Sequence, residues 1–153
     1  MRVKLTVSGI VQGVGFRPFI YRIAVRNGLA GYVRNMGDAG VDVLLEGNAQ
    51  NVEQFIADLS AERPPLAQID QIKKVDLSGK NEYSKFTIFQ SSQDAELSGS
   101  IIPPDIAICS QCLSELRDPK NPRFDYFFIT CTDCGPRFTI IERLPYDREN
   151  TTM

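Results

Sequence analysis

Along the first 90 residues the hydrophobic period switches from two to about 3.6 and back in a set order, and that order restricts the folds open to the chain. Val3, Leu5 and Val7 alternate with Arg2, Lys4, Thr6 and Ser8, which predicts a strand with one buried face that stops at Gly9. Pro18 suits the first turn of a helix, and Phe19, Ile20, Ile23 and Ala24 recur at helical spacing until Asn27 and Gly28 end it. Strands are expected over Gly31–Asn35 and Val41–Glu46, on either side of the turn signal Gly37-Asp38-Ala39-Gly40. Val52, Phe55, Ile56 and Leu59 mark a second amphipathic helix, stopped by Arg63-Pro64-Pro65, and Ile69–Leu77 and Tyr83–Phe89 read as two more strands. The first six elements follow the order β-α-β-β-α-β. That is the split βαβ order of a ferredoxin-like α+β sandwich, with both helices on one face of an antiparallel sheet and the fifth strand extending it.

Residues 91–100, which include Ser91-Ser92-Gln93-Asp94 and Leu97-Ser98-Gly99-Ser100, are small and polar, the composition of a linker. The division expected is therefore a domain over 1–90, a linker over 91–100 and an appendage over 101–153 whose last residues, from Pro145, carry no closing element. With 42% hydrophobic and 24% charged residues the chain has the composition of a packed protein, and its net charge of -2 gives it no basic field. Nucleic-acid binding would have to rest on a local patch such as Arg137 and Arg143, so no nucleic-acid partner is expected. The start shows no signal-peptide pattern and no stretch has membrane-spanning length, so no membrane association and a cytoplasmic location are expected. Histidine is absent, which excludes any nucleophilic system that needs an imidazole base from this chain.

Gly9, Gly13 and Gly15 punctuate the loop GIVQGVGFR between the first strand and first helix. Glycines permit positive φ and close backbone approach, so successive N–H groups of Gly13, Val14, Gly15, Phe16 and Arg17 can converge on an anion at the positive end of the helix. Arg17 adds a planar fork for two phosphate oxygens. From the glycines alone a plain strand-to-helix turn is an equal alternative, and Asn35 before Met36-Gly37-Asp38 could by itself be a turn residue. GIVQGVGFR, however, resembles the acylphosphatase signature, Gly31-Tyr32-Val33-Arg34-Asn35 resembles that family's second motif, and Glu82–Ile88 its closing strand. The resemblance implies that Arg17 holds the substrate phosphate, that Asn35 orients the attacking water, and that the substrate is a carboxyl-phosphate anhydride.

All four cysteines fall within 26 residues, as Cys109-Ser110-Gln111-Cys112 and Cys131-Thr132-Asp133-Cys134 with eighteen residues between the pairs. Two such knuckles are the spacing of a closed, tetrahedral, all-thiolate zinc site with a structural role, since no coordination position stays open. Redox use of one pair and iron in place of zinc are the alternatives. Phe124, Tyr126, Phe127, Phe128 and Phe138 are expected to form a small core around the second knuckle.

The combination of these two parts, with Ile102-Pro103-Pro104-Asp105-Ile106-Ala107 and Cys134-Gly135-Pro136-Arg137-Phe138-Thr139-Ile140, resembles the HypF carbamoyltransferase family of nickel–iron hydrogenase maturation. The resemblance implies an N-terminal fragment of a longer enzyme that hydrolyses carbamoyl phosphate at Arg17 and Asn35. ATP would be used only in downstream domains, and HypE would receive the carbamoyl group that becomes a cyanide ligand.

Overall fold

A computed structural model describes residues 1–90, 107–131, 134 and 142. The expected linker 91–100, Arg137, Phe138, Arg143 and the tail from Pro145 lie outside the described residues. The elements are β1 (Arg2–Ile10), α1 (Phe16–Arg26), β2 (Ala30–Asn35), a 3-10 turn (Gly37–Ala39), β3 (Val41–Glu46), α2 (Ala49–Ala61), β4 (Gln68–Asp76), β5 (Phe86–Ile88) and α3 (Ser110–Arg117). The first five strands form one sheet in the order β4-β1-β3-β2-β5. The fold is the expected α+β sandwich. All pairings are antiparallel except β2 with β5, which are parallel, so the fifth strand does not continue the antiparallel pattern.

The alternation in β1 does what its period requires. Val3, Leu5 and Val7 lie on one face with Val33, Val41, Val43 and Leu45, and onto that face pack Phe19, Ile20 and Ile23 of α1 and Val52, Phe55 and Leu59 of α2. Burial of side chains of this size stabilises the fold by roughly 1.5–3 kcal/mol each before entropy is counted. The opposite face holds charge. Glu46 is 2% exposed; its carboxylate pairs with Arg2 at 2.9 Å and accepts the backbone N–H groups of Glu82 and Tyr83, both at 2.8 Å. Asp42, equally buried, meets Arg34 at 3.1 Å and Lys4 at 3.3 Å. Such charges are tolerated inside only when paired and hydrogen-bonded.

Three boundaries differ from expectation. β1 does not stop at Gly9 but runs to Ile10, because β4 pairs with it through a register shift at Ser8 and Gly9; any Cβ at Gly9 would stand 2.2 Å from the carbonyl oxygen of Gln68. α1 starts at Phe16, two residues before Pro18, since Phe16 is drawn into the core. β5 is confined to Phe86–Ile88; Tyr83, expected within it, is held instead by Glu46 and packs its ring edge-on to Tyr32 at 5.7 Å.

The two helices are joined by Asp58 of α2. Its carboxylate accepts from Asn27 Nδ2, Arg26 Nη2 and Gln54 Nε2, each at 2.8 Å. Those donors, Asn27 foremost, hold the carboxyl at about 2, below its ordinary 3.8. A depressed carboxyl contributes stability that is complete above pH 3.8 and is lost as pH falls toward 2. Acid unfolding followed by circular dichroism is therefore expected to have a component in that window which Asp58→Asn removes.

Candidate functional site

The segment between β1 and α1 is held from beneath by its own apolar residues. Val11, Val14 and Phe16 are 1%, 2% and 1% exposed and belong to the main core, and Phe16 packs against Phe19 with ring centroids 5.9 Å apart. Anchoring these three side chains leaves Gly13 and Gly15 to make the turn, and both take positive φ, 70° and 73°. A residue with a side chain would be strained there. Gly15 caps α1 in the left-handed conformation and accepts from the N–H of Phe19 at 3.1 Å. The N–H groups of Phe16 and Arg17 belong to the first turn, where the helix provides no acceptor. The N-terminus of α1, free of acidic residues, presents these amides with the half-buried Arg17 beside them. Val14 and Phe16 can thus contribute to an anion site only through their backbones.

Asn35 ends β2. It lies in one row with Val41 of β3 and Val7 of β1, on the helix-covered face and at the end of the sheet from which the loop departs. It is 1% exposed, and among the described residues neither its Nδ2 nor its Oδ1 has a hydrogen-bond partner. Leaving a buried polar group unsatisfied costs about 1–3 kcal/mol. The Asn35 amide is thus a buried group with unused hydrogen-bonding capacity at the end of the sheet from which the loop departs. Both sequence-derived candidates, Arg17 and Asn35, thus belong to the same end of the sheet.

Sequence reasoning missed Gln12. Its Nε2 donates to the carbonyl oxygen of Gly37 at 2.5 Å and, more weakly, to that of Gly40 at 3.3 Å, tying the loop to the turn that follows Asn35. Its only sequence signal was its place inside GIVQGVGFR.

The cysteines form a second centre. Cys109 caps α3 and its sulfur accepts from the N–H of Cys112 at 3.4 Å. The sulfurs of Cys109 and Cys131 are 3.7 Å apart, those of Cys112 and Cys134 3.8 Å, and those of Cys131 and Cys134 3.8 Å. All four lie within 4.8 Å of one another. These separations are far beyond a disulfide bond. They match the edge of a tetrahedron of thiolates about 2.3 Å from a central ion, which is about 3.8 Å. The four cysteines are positioned to bind a metal. The expected aromatic core around them is not formed: Phe124, Tyr126, Phe127 and Phe128 are 49%, 46%, 83% and 52% exposed. Ile129, 1% exposed, takes that place beside Cys112 and Cys134, because the turns over 119–128 fold the aromatic run outward.

The acylphosphatase family model matches residues 3–88, and the HypF finger model matches residues 108–141. The acylphosphatase of Mannheimia succiniciproducens is 38% identical over 88 residues, which is 58% of this chain and 97% of that protein. The probable carbamoyltransferase HypF of Methanocaldococcus jannaschii is 50% identical over 150 residues, 98% of this chain and 20% of that protein. A crystal structure of full-length HypF in its phosphate- and nucleotide-bound form superposes with a TM-score of 0.89 at 43% identity, over 99% of this chain and 20% of that one. The fold and its loop define an acylphosphatase-type domain, and the cysteine module that follows is a HypF finger. The chain belongs to the HypF carbamoyltransferase family and corresponds to its N-terminal part, about one fifth of the length of the curated relatives it matches. No helix among the described residues is long and apolar enough to cross a membrane.

The sulfur geometry makes a quantitative demand on metal content. Purified chain is expected to carry one ion, lost in Cys131→Ser, with thermal unfolding of the cysteine module shifted to lower temperature; folded, metal-free wild type would contradict the site.

Proposed function

We propose that the domain over residues 1–90 hydrolyses carbamoyl phosphate to carbamate and phosphate, with the loop from Gly13 to Arg17 as phosphate cradle and Asn35 as the residue that orients water. The observation that carries this proposal is the Asn35 side chain, buried, without a hydrogen-bond partner among the described residues and at the same end of the sheet as the loop. The N–H groups of Gly13, Val14, Gly15, Phe16 and Arg17 and the Arg17 guanidinium neutralise the phosphate oxygens where charge gathers in the transition state. Asn35 accepts from the water through Oδ1 and donates through Nδ2, setting it in line with the bond that breaks. The water oxygen joins phosphorus as the bond from phosphorus to the carbamoyl oxygen is cleaved, and the water proton passes to the phosphate or to solvent. An acyl phosphate carries an activated leaving group, so the reaction needs no protein base, in keeping with a chain without histidine. Full-length HypF, a relative at 43% identity, has been solved in a phosphate- and nucleotide-bound form, in keeping with a phosphoryl ligand in this family.

The ion held by Cys109, Cys112, Cys131 and Cys134 is zinc, and its role is structural. A closed tetrathiolate site offers no position to substrate and contributes on the order of 10 kcal/mol to folding of a module too small for a large core. Residues 91–100 join the two units. Within the full-length enzyme this chain supplies the first step of carbamoyl transfer in hydrogenase maturation. The carbamate is activated with ATP in later domains and passed to HypE, where it becomes the cyanide ligand of the nickel–iron centre.

Arg17→Ala removes two charge-assisted hydrogen bonds and is expected to weaken inorganic phosphate binding at least about a hundredfold. Asn35→Ala is expected to leave phosphate binding within about threefold while turnover falls by about two orders of magnitude, the scale of one lost transition-state contact. Phosphate-release assays with carbamoyl and acetyl phosphate, alongside calorimetric titration of phosphate, check both. Hydrolysis unchanged in either variant would remove the assignment.

A further inference from the structure

We infer that Gln12 is a positioning residue that couples the anion-binding loop to the strand end carrying Asn35. This inference rests on the hydrolase function proposed above. Gln12 lies within the loop, between buried Val11 and Gly13 with its positive φ, and its carboxamide reaches 25 residues along the chain to Gly37. Its Nε2 has two hydrogens and meets two carbonyl oxygens, those of Gly37 at 2.5 Å and Gly40 at 3.3 Å. These two carbonyls already organise the turn itself: the N–H of Gly40 donates to Gly37 at 3.2 Å and the N–H of Met36 donates to Gly40 at 2.9 Å. Gln12 therefore binds to the two acceptors that close the segment directly after Asn35.

The consequence is geometric. Within the sheet, Asn35 and the start of the loop are separated by two strand spacings, about 10 Å through Val41 to Val7. Among the described residues no backbone hydrogen bond joins Gln12 or Gly13 to the turn at 36–40. The Gln12 amide spans that gap directly. It does so only as a donor: a carboxylate of the same shape would face two carbonyl oxygens with no hydrogen to share. With the span in place, a phosphate drawn into the loop and a water held by Asn35 keep one relative position. Without it, the loop still offers its amides and Arg17 to phosphate, but the in-line alignment with Asn35 loosens.

The test uses the whole 153-residue chain with inorganic phosphate as the probe. In wild type, amide ¹⁵N resonances of both Gly13–Arg17 and Met36–Gly40 are expected to shift on phosphate addition; in Gln12→Ala only the loop responds. With acetyl phosphate as substrate, kcat of Gln12→Ala and of Gln12→Glu is expected to fall at least about tenfold, as misalignment of a reacting pair does, while inhibition by phosphate stays within about threefold of wild type. A turn that responds equally in Gln12→Ala overturns the inference. So does wild-type kcat in Gln12→Glu, which would show that the side chain merely fills space. A wild-type chain with the coupled response but no phosphate release refutes the hydrolase function while supporting the coupling.

Discussion

The register between β1, β3 and β2 is the constraint on which the candidate site depends. Val7, Val41 and Asn35 are matched in one row, and because side chains in a row share a face, an amide stands at the end of a row whose other two members are core valines. A slip of one residue between β2 and β3 would turn Asn35 to the charged outer face and Arg34 into the core, so the apolar face of β2 and β3 enforces the placement of a polar group. The same row ends where the chain turns back through Val11, Val14 and Phe16. Those three residues seat the loop on the same core that holds the strands. The loop's backbone amides and the Asn35 side chain are thus referred to one rigid body.

The two parts of the chain are held by different physics. In the sandwich, apolar packing between sheet and helices does most of the work, while the outer face hides paired charges around Glu46 and Asp42. Among the described residues of the cysteine module the buried apolar set shrinks to Ile129, Cys112 and Cys134. Sulfur separations of 3.7 to 3.8 Å bring the four cysteines together in the arrangement that suits a metal ion.

Period and punctuation made the sandwich legible, because β1, β2, α1 and α2 each bury one face and say so in their spacing. The cysteine cluster was legible from its two knuckles. What escaped was decided by contacts distant in sequence. β1 outlasts Gly9 because β4, some sixty residues later, accepts the bulge. Tyr83 leaves its strand because Glu46 captures its amide. The aromatic run from Phe124 to Phe128 has core composition, yet its turns face outward and Ile129 is buried in its stead. Asn35 was found by the likeness of its motif to a family pattern and not by its residue type, and Gln12 had no signal of its own, since its partners are backbone oxygens that any residue carries.

The central claim, that this domain directs water onto a held phosphorus, is tested most directly by isotope placement. With acetyl phosphate as substrate in ¹⁸O-labelled water, the account predicts chain-catalysed release of phosphate that carries one ¹⁸O, with unlabelled acetate. Label in the acetate, or release no faster than the uncatalysed reaction, would contradict it.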